Sequence, residues 1–279
     1  MNETEARSTN KRALLSGPYL VWIIGFTVLP LIIIFRYALS DGAGQVTLSN
    51  ITAIFSPIHR KAMWFSLKIA LGCTVFCILL SYPMVLAMKH LGLGKRGFSL
   101  FIIILPMWMN FILRILALQM ILSNNGILNL LLTKLGFEPL RIANTETAVM
   151  IGAVYDYLPY MMLPIYTAIM EINEDVIEAA KDLGAGSFTV FRKIILPLSL
   201  PGLLSGTVMV FVPSMTSFVI SNLLGGGKLQ LIGNVIEQEF MTGSRYVGSG
   251  LSVALMIFVL ISMAFTMRHN SEGKESVVW

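Results

Sequence analysis

Apolar residues run nearly unbroken through six stretches of the chain, at about residues 14–35, 64–88, 98–122, 147–170, 198–224 and 247–267. A helix needs about 20 such residues to cross a hydrocarbon core, so each stretch predicts a transmembrane helix. The first is too long for the apolar core of a cleaved signal and has no small-x-small cleavage site, which makes it an uncleaved first span. The segment at 127–135 is apolar but too brief to cross, and Asn124-Asn125-Gly126 before it predicts a turn. Of the polar stretches, two carry compact basic clusters: Arg7, Lys11 and Arg12 in the first, and Lys89, His90, Lys95 and Arg96 between the second and third spans. Basic residues in short loops stay on the cytoplasmic side. Six spans from a cytoplasmic N-terminus then leave tails at 1–12 and 269–279 inside the cell, around a transmembrane domain at 13–268.

The most polar block between two apolar runs, at 171–197, has its own helical punctuation. Asn173 is a good N-cap, Glu174 and Asp175 put negative charge in the first turn, and Gly184 is a natural left-handed terminator. A short helix over 174–183 follows. Ser187 is expected to cap a second short helix that Pro197 stops. Between the caps, Ala179 and Ala180 leave a shallow patch where another protein could approach the backbone closely. Composition leaves two readings open here, a docking surface and a connecting helix that lies on the membrane.

With 56% apolar and 13% charged residues and a mean hydropathy of +0.77, the chain falls outside the range of soluble domains, and the fold class expected is an all-α polytopic membrane protein. A net charge of +5 would raise nucleic acid as a partner for a soluble domain. Here the basic residues flank apolar runs and form no arginine-rich arm, so the partner they imply is the lipid membrane and not nucleic acid. Cys73 and Cys77 are four apart in an apolar run, on one helix face, and read as packing residues without a disulfide framework.

Signatures of chemistry are few. Gly227-Lys228 resembles the end of a phosphate-binding loop, but Asn222 stands where the first glycine belongs and Leu229 replaces the Ser or Thr. His59, His90 and His269 are scattered, and no metal-ligand spacing is present, so neither a metal nor a catalytic residue is expected. Two ionisable residues sit inside spans, Arg114 and Asp156, where a charge costs a few kcal/mol unless it meets a partner or a watery path. They lie at similar depth. Either they pair across neighbouring helices, or Asp156 faces a path and meets a cationic substrate. Tyr155, Tyr157, Tyr160, Trp108 and Asn110 would then be candidates to line that path, with aromatic faces for ammonium groups. Ser214, Ser217 and Ser221 share a helical face in the fifth span and join the candidates. Gly202 and Gly206 have the small-xxx-small spacing of close helix packing.

The block at 171–197 also carries a resemblance. Glu178-Ala179-Ala180, Gly184, then Ile194 and Leu196-Pro197, resemble the EAA motif of the membrane subunits of prokaryotic ABC importers, with Asp182 between them a further coupling candidate. Further segments are similar to the permease subfamily of spermidine/putrescine importers: Tyr82-Pro83, Leu105-Pro106-Met107-Trp108-Met109-Asn110 with Arg114, Leu158-Pro159 with Pro164, and Leu224-Gly225-Gly226 through Ile236. The resemblance implies a type I importer permease fold and coupling helices at 173–197 that dock into a groove of an ATPase. It implies a second permease, two ATPase subunits carrying ATP and Mg, an extracytoplasmic binding protein, and no cofactor in this chain. A polyamine moved inward by alternating access is the function expected. Permeases for an amino acid, thiamine or a metal chelate are the alternatives, followed by a stand-alone channel or ion-coupled transporter.

Overall fold

The computed structural model describes residues 17–92 and 98–275, with side chains except at 98–100 and 265–275. The tail expected at 1–12, with Arg7, Lys11 and Arg12, lies outside the described residues, as do Lys95 and Arg96. Within them the chain is helical, and the only extended pairing is an isolated bridge between Ser40 and Val46. Among the described residues six helical segments are long and apolar enough to cross a membrane, the third of them, Phe111–Lys134, being interrupted by a turn.

The main helices are α1 (Gly17–Ala38), α2 (Pro57–His90), α3 (Phe98–Ile104), α4 (Phe111–Leu122), α5 (Ile127–Lys134) and α6 (Glu146–Met170). They continue with α7 (Glu174–Asp182), α8 (Ser187–Thr216), α9 (Phe218–Leu224), α10 (Ile232–Met241) and α11 (Arg245–Glu275). Two compact units form. One comprises the chain up to Ser56 with Ile236–Ile257, where Asn50 donates to the carbonyls of Ala38 and Ser40, and Tyr37 meets Tyr246 edge-on at 5.5 Å. The other comprises Pro57–Val235 with the chain from Phe258 on, and holds the polar block at 171–197 and the buried charges.

At the centre of this second unit α2, α6 and α8 pack against one another. Ile69, Cys73 and Cys77 of α2 meet Tyr157, Met161 and Ile165 of α6 and Val210 of α8 in one buried cluster. Both cysteines are free and fully buried, with Sγ atoms 3.9 Å apart, as packing residues. The close approach of α6 and α8 rests on glycine. A Cβ at Gly202 would stand 2.4 Å from the Pro164 carbonyl oxygen, which is backbone and cannot yield. Gly202→Leu is therefore expected to force the two helices apart at a cost of about 1–3 kcal/mol or more. The measurement is the yield of monodisperse protein after detergent extraction, and a parental yield would contradict the packing role.

Several boundaries differ from the apolar runs, each for a local reason. The second span begins at Pro57 instead of 64, because its polar first turns, with His59, Arg60 and Lys61, still form helix although they are not apolar. The third span is broken. Pro106 sits in a 3₁₀ turn at Leu105–Trp108, Met109 is extended, and Asn110 restarts the helix by accepting the Leu113 N–H at 3.2 Å. Residues 111–134 are apolar enough on average to count as one span but are not one rod. Ser123 leaves the helix, and Gly126 folds back so tightly that a Cβ would lie 2.4 Å from the Met120 oxygen. Asn129 then ties the turn together through the carbonyls of Asn124 and Leu140.

The fifth span corrects three expectations. Ser187 is the first helical residue and Gly186 occupies the cap, and Pro197 does not stop the helix, which continues to Thr216. The turn before Pro197 is widened instead: Leu196 donates to Phe191 five residues back, making a π-turn at Phe191–Ile195. A proline lacks an N–H and crowds the carbonyl four residues earlier, and a wider preceding turn relieves both. Pro30 follows an identical π-turn at Ile24–Val28. The shared face of Ser214, Ser217 and Ser221 also fails, because Ser217 (φ −71, ψ 80) interrupts the helix between α8 and α9. The polar tail expected from 269 begins inside α11, which runs on to Glu275.

Candidate functional site

The block at 171–197 forms a short helix, α7, whose two ends are satisfied from within the block. Asn173 Oδ1 accepts the Asp175 N–H at 3.1 Å, with Glu174 and Asp175 in the first turn and Lys181 in the last, all favourable to the helix dipole. At the other end Ala185 N–H donates to Ala180 O at 3.0 Å and Gly184 N–H to Lys181 O at 2.8 Å. That is a Schellman closure, and Gly184 takes the positive φ (+83°) it requires.

No residue of α7 is buried. Val176, Ala179 and Leu183 fall three and four residues apart on one exposed face, and Leu183 is 89% exposed. Phe188, at the start of α8, is 73% exposed beside them in sequence. Glu178, Asp182, Gly184 and Pro197 are exposed too, while Ala180, Ile194 and Leu196 are half-buried. Large apolar side chains held on a well-capped helix and left in the open mark an interaction surface.

The block is anchored at its two roots. The Tyr82 hydroxyl hydrogen-bonds Ser199 Oγ, and its ring meets Phe191 edge-on at 5.8 Å, so α2 grips the chain that follows α7. Lys89 Nζ donates to Ile169 O at 2.7 Å and Ile172 O at 2.9 Å, gripping the chain that precedes it. A cleft of about 490 Å³ between these grips is lined by Leu86, Lys89, Ile177, Glu178, Lys181 and Phe191.

Elsewhere in the unit Arg114 forms an ion pair with Asp156, both side chains 5% exposed. Its other terminal nitrogen donates to Pro106 O at 2.6 Å, and its guanidinium lies 6.0 Å from the Tyr155 ring centre. Asp156, Arg114, Tyr155 and the broken third span thus converge. The remaining path candidates are dispersed. Trp108 is 78% exposed and meets Phe101 edge-on, and Asn110 is engaged as a helix cap. Tyr157 donates to Pro213 O at 3.2 Å, with the exposed Tyr160 ring 6.2 Å from its own. The Ser214 and Ser221 hydroxyls are buried and bonded to the Phe211 and Leu229 carbonyls, and Ser217 sits at the helix break.

Two charged groups were missed in the sequence. Lys68 pairs with Glu146 at 2.5 Å on the rim of an apolar groove of about 630 Å³ between α2 and α6 that Tyr155 also lines. A lysine four residues inside an apolar run was the available signal. Lys89 was read only as a loop charge. Among the described residues no group of His, Cys, Asp or Glu could hold a metal ion.

Residues 84–274 match the model of the family described as binding-protein-dependent transport system inner membrane component. The chain is 37% identical to the spermidine/putrescine transport system permease protein PotB of Haemophilus influenzae, over 89% of this chain and 90% of that one. It is 38% identical to the Escherichia coli protein of the same name, over 85% and 89%. A crystal structure of a bacterial ABC transporter involved in import of the acidic polysaccharide alginate shares the fold, with a TM-score of 0.73, 18% identity and 98% of both chains covered.

Proposed function

The chain belongs to the family of inner membrane components of binding-protein-dependent transport systems, and from that premise we propose that it is the permease subunit through which an ABC importer brings polyamines into the cell. The observation that carries the cargo is the 37% identity, over most of both chains, to a spermidine/putrescine permease. The surface of α7 supports the energy source: a doubly capped helix with Val176, Leu183 and Phe188 exposed suits a groove of a separate ATPase, where ATP and Mg bind. ATP binding there closes the ATPase dimer, and residues 173–197 pass the motion to the spans for alternating access. A second permease and an extracytoplasmic binding protein complete the importer. Both termini lie in the cytoplasm, on the same side as α7.

The test is uptake of radiolabelled spermidine by a strain lacking this chain, with and without the gene restored. Restored, saturable uptake that unlabelled putrescine competes away is the expected result. Uptake that ignores polyamines but responds to another solute would reject the cargo. A purified chain that moves solute without any nucleotide-binding partner would reject the importer.

A further inference from the structure

No residue of α7 is fully buried, and only Ile177 and Ala180 are half-buried, so the firm attachments through which motion imposed on it reaches the spans are its two roots. The obvious routes are its covalent continuations, α6 before it and α8 after it. Helix α2 provides a third route. Lys89, at the inner end of α2, reaches across to the root of α7 and bonds two carbonyls, that of Ile169 in the last turn of α6 and that of Ile172 beyond it. Both residues are buried, Ile169 completely, and Asn173 caps α7 immediately afterwards. A charged donor shared by carbonyls on either side of the helix end holds the joint between α6 and α7 at one angle.

Tyr82 lies seven residues, about two turns, before Lys89 and so on the same face of α2. It holds Ser199 and Phe191, which follow α7. One face of α2 therefore grips the chain on both sides of the coupling helix, although α2 is not continuous with it in sequence.

We propose that Lys89 is a positioning residue that clamps the inner end of α2 to the root of the coupling helix, so that displacement of α7 moves α2 together with α6. This rests on the coupling role proposed above. A lysine that merely satisfied two carbonyls would matter for folding and not for how ATP use is tied to transport.

The test is the full importer in proteoliposomes, assembled with its ATPase, second permease and binding protein, with labelled spermidine taken up and ATP hydrolysed measured together. For Lys89→Met, ATP hydrolysis is expected to stay within about twofold of the parent while uptake falls about tenfold, the scale of hydrogen bonds to a charged donor. Lys89→Arg, which keeps a charged donor, is expected to recover most of the uptake. Lys89→Gln guards against a folding artefact. If complexes with Met and with Gln both fail to assemble, the clamp is structural and the proposal is overturned. It is equally overturned if Lys89→Met transports normally, or if uptake and hydrolysis fall in proportion. A parent complex that binds its ATPase yet moves neither spermidine nor any other solute would overturn the proposed function and the clamp with it.

Discussion

Arg114→Leu is expected to remove most of the folded protein from the membrane, and Arg114→Leu combined with Asp156→Leu is expected to return much of it. The reason is where the charges lie. Both side chains are 5% exposed, so truncating the arginine leaves a carboxylate in the interior with no counter-charge. Breaking one side of a buried pair costs about 3–5 kcal/mol, comparable with the whole stability of many domains. Removing both charges leaves apolar side chains in an apolar setting, where the change is close to neutral. The Pro106 carbonyl loses its donor in both variants, so recovery will be incomplete. The measurement is the amount of monodisperse protein extracted per cell. Parental amounts for the single variant would show that the pair does not hold the fold, and loss of spermidine uptake by Asp156→Asn at full protein yield would return the aspartate to the substrate path.

Glu178→Lys has the opposite profile: uptake abolished, protein still in the membrane. Glu178 is exposed on a helix with no buried residue, and exposed substitutions of this kind shift stability by about 0.5 kcal/mol or less. The reversed charge falls beside the exposed apolar face that the ATPase is proposed to cover. Gly184→Asp is a companion. Nothing lies within 4 Å of a Cβ there, so the cost is only the left-handed backbone, about 1–2 kcal/mol confined to the end of α7. Both variants are scored by uptake against protein level in membranes. Normal uptake by both would end the coupling role for this surface.

The sequence and the structure agree best where the forces are local. The ends of α7 were legible because Asn173 needs only Asp175, and Gly184 only its own φ and the carbonyls of one turn. Pro197 signals a stop in the sequence, but the preceding turn widens and keeps the helix running, which no local pattern announces. The shared serine face presumes an unbroken helix across Ser217, where the helix is interrupted. The candidate pathway was the least legible part. Arg114 could be seen to need a partner, yet Asp156 lies 42 residues away and a cationic substrate would have satisfied the same need.

By itself, then, the sequence determined six apolar spans, a capped polar helix before the fifth, and a resemblance that the comparisons bear out, because hydrophobic length, helix caps and short motifs depend on residues within a few turns of one another. Only the tertiary structure decided that Arg114 holds Asp156, that Gly202 lets α8 touch the backbone of α6, and that Lys89 crosses to the root of α7. Each of these joins helices far apart in the chain. Whether their atoms meet depends on how the helices are packed, and no local pattern of residues records it.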